Sequence, residues 1–174
     1  MQQHLDPDEE LAYPKLRRGL YRVTSPKDKL YNCIAYAAGK NDIHWWPYPL
    51  PTVGINWPIE RTDETIECFI EAFATKGYIE CKNMDACLEP GIEKVAIYAG
   101  ADGEPTHMAR QLENGKWTSK LGYDEDIEHD TLESLECPVY GMVAAILRRP
   151  RTEKDSPDSH QPLSLKSFDG DRPS

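Results

Sequence analysis

Long apolar runs are missing from this 174-residue chain. No stretch approaches the roughly 18 consecutive apolar residues that a membrane-spanning helix requires, so a helical membrane protein is excluded. The opening segment, MQQHLDPDEE, is acidic where a secretory leader is basic and then apolar. The chain therefore reads as cytoplasmic, unless an export route without a cleaved leader carries it. Positive charge is also in deficit: 20 Lys and Arg stand against 30 Asp and Glu, a formal net charge of −10. That balance excludes mechanisms in which the whole surface draws in nucleic acid or anionic lipid. The most basic run, LRRPR at 147–151, is short. No CxxC or HxxxH pair is present to hold zinc, and GADG at 100–103 lacks the Lys and the following helix of a phosphate loop. No metal or other cofactor is expected. The cysteines are odd in number and without framework spacing (Cys33, Cys68, Cys81, Cys87, Cys137), which predicts free thiols.

What is present suffices for one domain with a core, since 39% of the residues are hydrophobic. Residues 1–18 mix acids and prolines with few large apolar groups and read as a flexible arm. Residues 151–174 are rich in Ser, Asp and Pro and too poor in apolar groups to offset the entropy of ordering, which predicts a disordered acidic tail. The folded unit is expected at 19–150.

Within it, a helix through CIAYAAG ends at Gly39, and two starting registers are open. Asn32 can cap it, making Cys33 the first helical residue, or Ser25 can cap it with Pro26 following, which puts Cys33 about two turns inside. The segment 41–58 holds four prolines and three tryptophans and reads as a long loop pinned by aromatic packing. Thr62 is the expected cap of a second helix, in which Ile66, Phe69, Ile70 and Phe73 recur at helical spacing before Gly77 stops it. Then the period changes. EKVAIYA (93–99), THMARQL (106–112), KWTSKLG (116–122) and YGMVAAILRR (140–149) read as strands, with ENGK as a hairpin turn. The fold class is α+β, N-terminal helices packed on an antiparallel sheet.

A cysteine at a helix N-terminus gains from the helix dipole and from unpaired amides, which lower the thiol pKa and can serve as oxyanion donors. His107 is the only histidine on an expected strand, where a general base is held rigidly. The third group depends on hairpin register. A two-residue turn puts Lys120 on the His107 face, whereas a three-residue loop with a bulge at Gly115 puts Trp117, Ser119 and Leu121 there. Asp124, Asp126 and Glu128, just past the strand, are further candidates for that role.

The segments YNCIAYAAG, EKVAIYAGADGEPTHMARQL and NGKWTSKLG follow one another as a helix-borne Cys, a strand-borne His and a next strand with a polar residue. This layout resembles the papain-like superfamily of thiol hydrolases, in particular the compact NlpC-like peptidases and amidases. YNCIAYAAG, THMARQ, WTSKLG and the final YG…RRP also resemble an uncharacterised bacterial domain family. The first resemblance implies a cysteine peptidase or amidase, or an acyl transferase, in which Cys33 attacks and His107 holds the proton; it departs at the third member, where the family pattern wants Asn, Asp, His or Gln, and Ser119 from the hairpin register is the candidate to orient the imidazole. The amide of Cys33 and the side chain of Asn32 would stabilise the oxyanion. The implied substrate is a peptide, isopeptide or peptidoglycan stem.

Trp45 and Trp46 are candidates for a substrate-binding lip, and Gln111 for a substrate contact. The acidic run YDEDIEHD (123–130) is expected as a solvated face that could dock a basic partner. The alternative reading is a non-catalytic binding or accessory module of the same fold that engages a protein partner through the tryptophan loop or the acidic segment.

Overall fold

The computed structural model describes residues 3–152. Its centre is a run of strands: β5 (Ile92–Ala99), β6 (Pro105–Gln111), β7 (Trp117–Lys120), β8 (Asp126–His129) and β9 (Met142–Pro150). With β1 (Tyr21–Ser25) and β4 (Ile79–Glu80) they form a seven-stranded antiparallel sheet in the order β1-β8-β7-β6-β5-β9-β4. Strands β5 to β8 are a meander, and β9 returns to pair along the full length of β5. The protein is therefore α+β, with few helices.

Strand alternation sends side chains to two faces, and both are covered. Val95, Ile97, Met108, Ala145 and Leu147 meet α2 (Cys33–Ala37), α3 (Ile66–Ala74) and Trp45. Ala96, Tyr98, Ala109, Trp117, Ile127 and Ile146 meet Leu5, Leu16, Leu132, Leu135 and Tyr140. A meander dressed on both sides explains why β5 reads as continuously apolar rather than alternating.

Helix α2 settles the register question. Asn32 has extended backbone (φ −113°, ψ 175°) and its Oδ1 accepts from the Ala35 amide at 3.0 Å. Cys33 is thus the first helical residue, and Ser25 belongs to β1 instead. The second helix starts later than expected: Thr65, not Thr62, caps α3 by accepting from the Cys68 amide at 3.2 Å. Asp63 and Arg61 pair ahead of it and hold the entering chain. The proline-rich loop also departs from expectation, because β2 (His44–Trp45) and β3 (Ile55–Asn56) make a two-residue parallel pairing within it.

Two larger corrections concern polar segments. The arm read as flexible contains α1 (Pro7–Glu10) and buries Leu5 and Leu16 in the second cluster, so it is part of the folded body. The acidic run read as a solvated face contains β8, in which all four residues are buried. Its acids are neutralised locally: Glu128 pairs with Arg22 and Lys116, and Asp126 accepts from the Tyr31 hydroxyl at 2.7 Å. The segment read as a disordered tail lies, from residue 153 on, outside the described residues. No helix among the described residues is long and apolar enough to cross a membrane.

One glycine is dictated by close approach. Gly141 has φ +72°, and a Cβ there would stand 1.9 Å from the Ala99 carbonyl oxygen. This contact fixes the turn that presents Tyr140 to β6. Gly54 also has positive φ (+79°), but nothing lies within 4 Å of a Cβ there. Gly141→Ala should therefore cost about 3 kcal/mol or more, and Gly54→Ala about 1–2 kcal/mol, in urea denaturation. Equal losses would mean that the Ala99 contact is not a constraint.

Candidate active site

The site begins where two strands part. Leu112 donates to the Lys116 carbonyl at 2.8 Å, and β6 pairs with β7 only through Arg110–Thr118 and Gln111–Trp117. This is the three-residue-loop register. By the two-residue alternation of a ladder, the Met108 amide also turns toward β7, yet no strand partner meets it there. The start of α2 packs there instead, and the main chain of Met108, Ile34 and Cys33 favours charge on the Cys33 sulfur. Burial acts the other way and dominates, pushing the thiol up to about 11. At neutral pH Cys33 is a protonated thiol.

His107 lies one residue away on β6. Its ring is fully buried, stacked on Tyr140 (centroids 4.1 Å apart, planes at 14°) and edge-on to Tyr98. Nε2 is 3.1 Å from Ser119 Oγ, and Ser119 Oγ is 2.9 Å from Nε2 of His129. His129 Nδ1 is 2.8 Å from the Thr131 carbonyl. Burial holds both imidazoles neutral, lowering His107 to about 3 and His129 to about 4.

These contacts fix where the protons sit. A carbonyl only accepts, so His129 carries its proton on Nδ1 and has a lone pair at Nε2. Ser119 must donate to that lone pair, which leaves its oxygen to accept from Nε2–H of His107. His107 then presents a bare lone pair at Nδ1, the one nitrogen of these two imidazoles with no hydrogen-bond partner. The opposite tautomer would bury an unpaired N–H and set two lone pairs against each other at 2.9 Å, and an unsatisfied buried group costs about 1–3 kcal/mol. No hydrogen bond joins Cys33 to His107. The thiol and the imidazole reach β6 at adjacent residues, the thiol from the α2 side at the strand gap and the imidazole from among Tyr98 and Tyr140.

Residues 22–148 match a Domain of unknown function (DUF7689), well over half of the chain. The chain belongs to this family. No curated protein and no solved structure matches it.

In this DUF7689 domain several of the other sequence-derived candidates are engaged in structural contacts. Asn32 is committed: Oδ1 accepts from Ala35 and Trp45 amides, and Nδ2 donates to the Trp45 carbonyl at 2.8 Å. It caps α2 and clamps the tryptophan loop with its oxygen and one of its two N–H donors. Trp45 is core, edge-on to Trp57 and Phe73. Trp46 is half-buried and lines a cleft with Asn32, His44, Tyr48 and Tyr123. Gln111 is buried and donates to the Ala86 carbonyl at 2.8 Å, holding a loop rather than facing a cleft. Lys120 is buried on the α2 side, over the Tyr31 ring and bonded to the Asp124 carbonyl, so neither it nor Asp126 meets His107.

Sequence reading missed His129 and Tyr140. The alternation of Ile127 and His129 with Asp126 and Glu128 was the available strand signal, masked by the acids. Among the described residues Glu9, Asp124 and Glu125 have carboxylates close enough to share a cation, but the Lys27 ammonium already pairs with Glu9 and Asp124.

Two consequences are measurable. In 15N-histidine NMR at pH 7, His107 should be the Nε2–H tautomer and His129 the Nδ1–H tautomer; Ser119→Ala should leave His129 unchanged and mix the forms of His107. Both histidines have folded pKa values below the unfolded value near 6.5. The stability they lend is complete above that pH and is lost as pH falls through about 4 and then about 3. An acid limb of the stability curve that is unchanged in His129→Gln would contradict this.

Proposed function

We propose that this DUF7689 domain is a cysteine-dependent hydrolase of papain-like, NlpC-like layout, acting on an amide bond of a peptide, isopeptide or peptidoglycan stem. The observation that supports it most is the hydrogen-bond chain from the Thr131 carbonyl through His129 and Ser119. It holds His107 in the form of a base, with Nδ1 unpartnered, while a thiol stands at the first residue of a capped helix packed on the same strands.

In this reading the resting pair is neutral. The reaction in this reading requires Sγ and Nδ1 to come within hydrogen-bond reach, whereupon Nδ1 takes the thiol proton as sulfur bonds to the carbonyl carbon. Main-chain amides at the start of α2 receive the oxyanion. The amide C–N bond then breaks, with the leaving amine taking the proton from Nδ1. Water, activated by the same nitrogen, cleaves the thioester and restores the thiol; an amine in place of water makes the reaction acyl transfer. Ser119 and His129 position His107 and do not touch substrate.

One observation favours the second reading, a binding module: Cys33 is closed off and its thiol is pushed up, while Tyr48, Leu50 and Val53 stand exposed on the tryptophan loop.

The test is a screen of peptide, isopeptide and peptidoglycan-stem amides, with mass spectrometry for an acyl adduct. Cys33→Ala should abolish turnover and the adduct. His107→Ala should lower kcat about 10²- to 10⁴-fold, and Ser119→Ala less. Turnover that survives Cys33→Ala would end the hydrolase reading.

A further inference from the structure

We infer that Glu9, Asp124 and Glu125 form a binding site for a hard divalent cation of the calcium class, which fastens the N-terminal arm to the turn between β7 and β8. The site is independent of the hydrolase reading.

The three acids come from different parts of the fold. Glu9 is on α1, and Asp124 and Glu125 are in the turn that enters β8. Each offers a carboxylate oxygen, and these oxygens lie within 4.8 Å of one another. Oxygens on opposite sides of a calcium ion, each about 2.4 Å from it, stand about 4.8 Å apart, so the spacing is of the size that one ion spans. The cluster has a floor and a rim: Glu125 is only 9% exposed, whereas Glu9 and Asp124 are partly open to solvent.

Acids gather on many surfaces without an ion, and what marks this group is its floor. Among the described residues Glu125 Oε2 is buried without a hydrogen-bond partner. A buried carboxylate oxygen left so is costly, and burial, helped by the charges of Glu9 and Asp124, pushes the Glu125 carboxyl up. Lys27 pairs at the rim, with Glu9 and, at 3.5 Å, with Asp124. Three carboxylates against one ammonium leave two negative charges uncompensated, the charge of a divalent ion. The Lys27 side chain is 49% exposed, so it can swing into water when such an ion enters.

The donors select the ion. All are carboxylate oxygens, with no His or Cys among them, which suits a hard cation; calcium accepts irregular geometry where magnesium demands a near-ideal octahedron. The frame is set before any ion arrives. The Asp6 amide donates to Glu9 Oε2 at 3.1 Å, and the turn is closed by the Asp124 amide on the Leu121 carbonyl at 2.8 Å and the Leu121 amide on the Glu125 carbonyl at 3.0 Å.

The experiment titrates the metal-stripped full chain with calcium chloride by calorimetry and follows the thermal midpoint in parallel. We expect one ion to bind with a Kd below about 1 mM and to raise the midpoint. Glu125→Gln and Asp124→Asn should each weaken binding by about tenfold or more, and Lys27→Met, which removes the competing ammonium, should tighten it by about threefold or more. Glu125→Gln keeps the shape of the side chain and drops its buried charge, so without calcium it should melt no lower than wild type. If it does melt lower, Asp124→Asn on the open rim carries the comparison. Binding that both carboxamide variants leave unchanged would put the ion on other surface acids and overturn the site. Absence of binding in wild type would overturn it as well, and binding then seen in Lys27→Met would identify the ammonium as the permanent occupant.

Discussion

A backbone carbonyl cannot donate a hydrogen bond, and the candidate site is organised by that constraint at Thr131. Because the Thr131 oxygen accepts a hydrogen bond from His129, each group further along has only one role left, and the chain ends at a lone pair on His107. The four groups come from β6, β7, β8 and the turn after β8. Their alignment requires the meander in this order and register, with antiparallel neighbours placing Ser119 between two histidines. In water such a chain would contribute little. In a site sealed by Tyr98, Tyr140 and Leu132 it sets a tautomer, because every alternative leaves a buried polar atom unpaired.

The same burial that gives the relay its authority sets the resting state. It moves the thiol up and both imidazoles down, so that thiol and imidazoles rest uncharged at neutral pH. Three amides around the sulfur partly oppose this. They are present because β6 and β7 separate after Arg110 and Thr118, and the opening is filled by the start of α2. A continuous ladder would have given the Met108 amide to β7. The parting of the strands and the tight Gly141 turn, which lays Tyr140 on His107, are the two backbone features on which the site depends.

Charge in the domain follows from packing as well. An acidic chain can place Asp126 and Glu128 in a buried strand only because Tyr31, Arg22 and Lys116 meet them. The likeness of YDEDIEHD to a solvated surface reflected composition alone. The arm presents the same contrast, since two leucines among acids and prolines were enough to seat it on the sheet.

Local sequence determined the elements whose causes are local. The Asn32 cap, the spacing of Ile66, Phe69, Ile70 and Phe73, the ENG hairpin and the apolar run of β5 depend on neighbours a few residues away, and each is found close to where it was read. Cys33, His107 and Ser119 were legible for that reason: one sits at a cap and the other two in one hairpin whose two registers could be enumerated. Which register and which cap applied was decided by tertiary structure. It also decided that Asn32 clamps Trp45, that Gln111 ties down a loop, and that His129, 22 residues from His107, completes the relay. Those contacts join positions distant in the chain, and the preference of a buried polar group for one partner exists only after the strands that bury it have met.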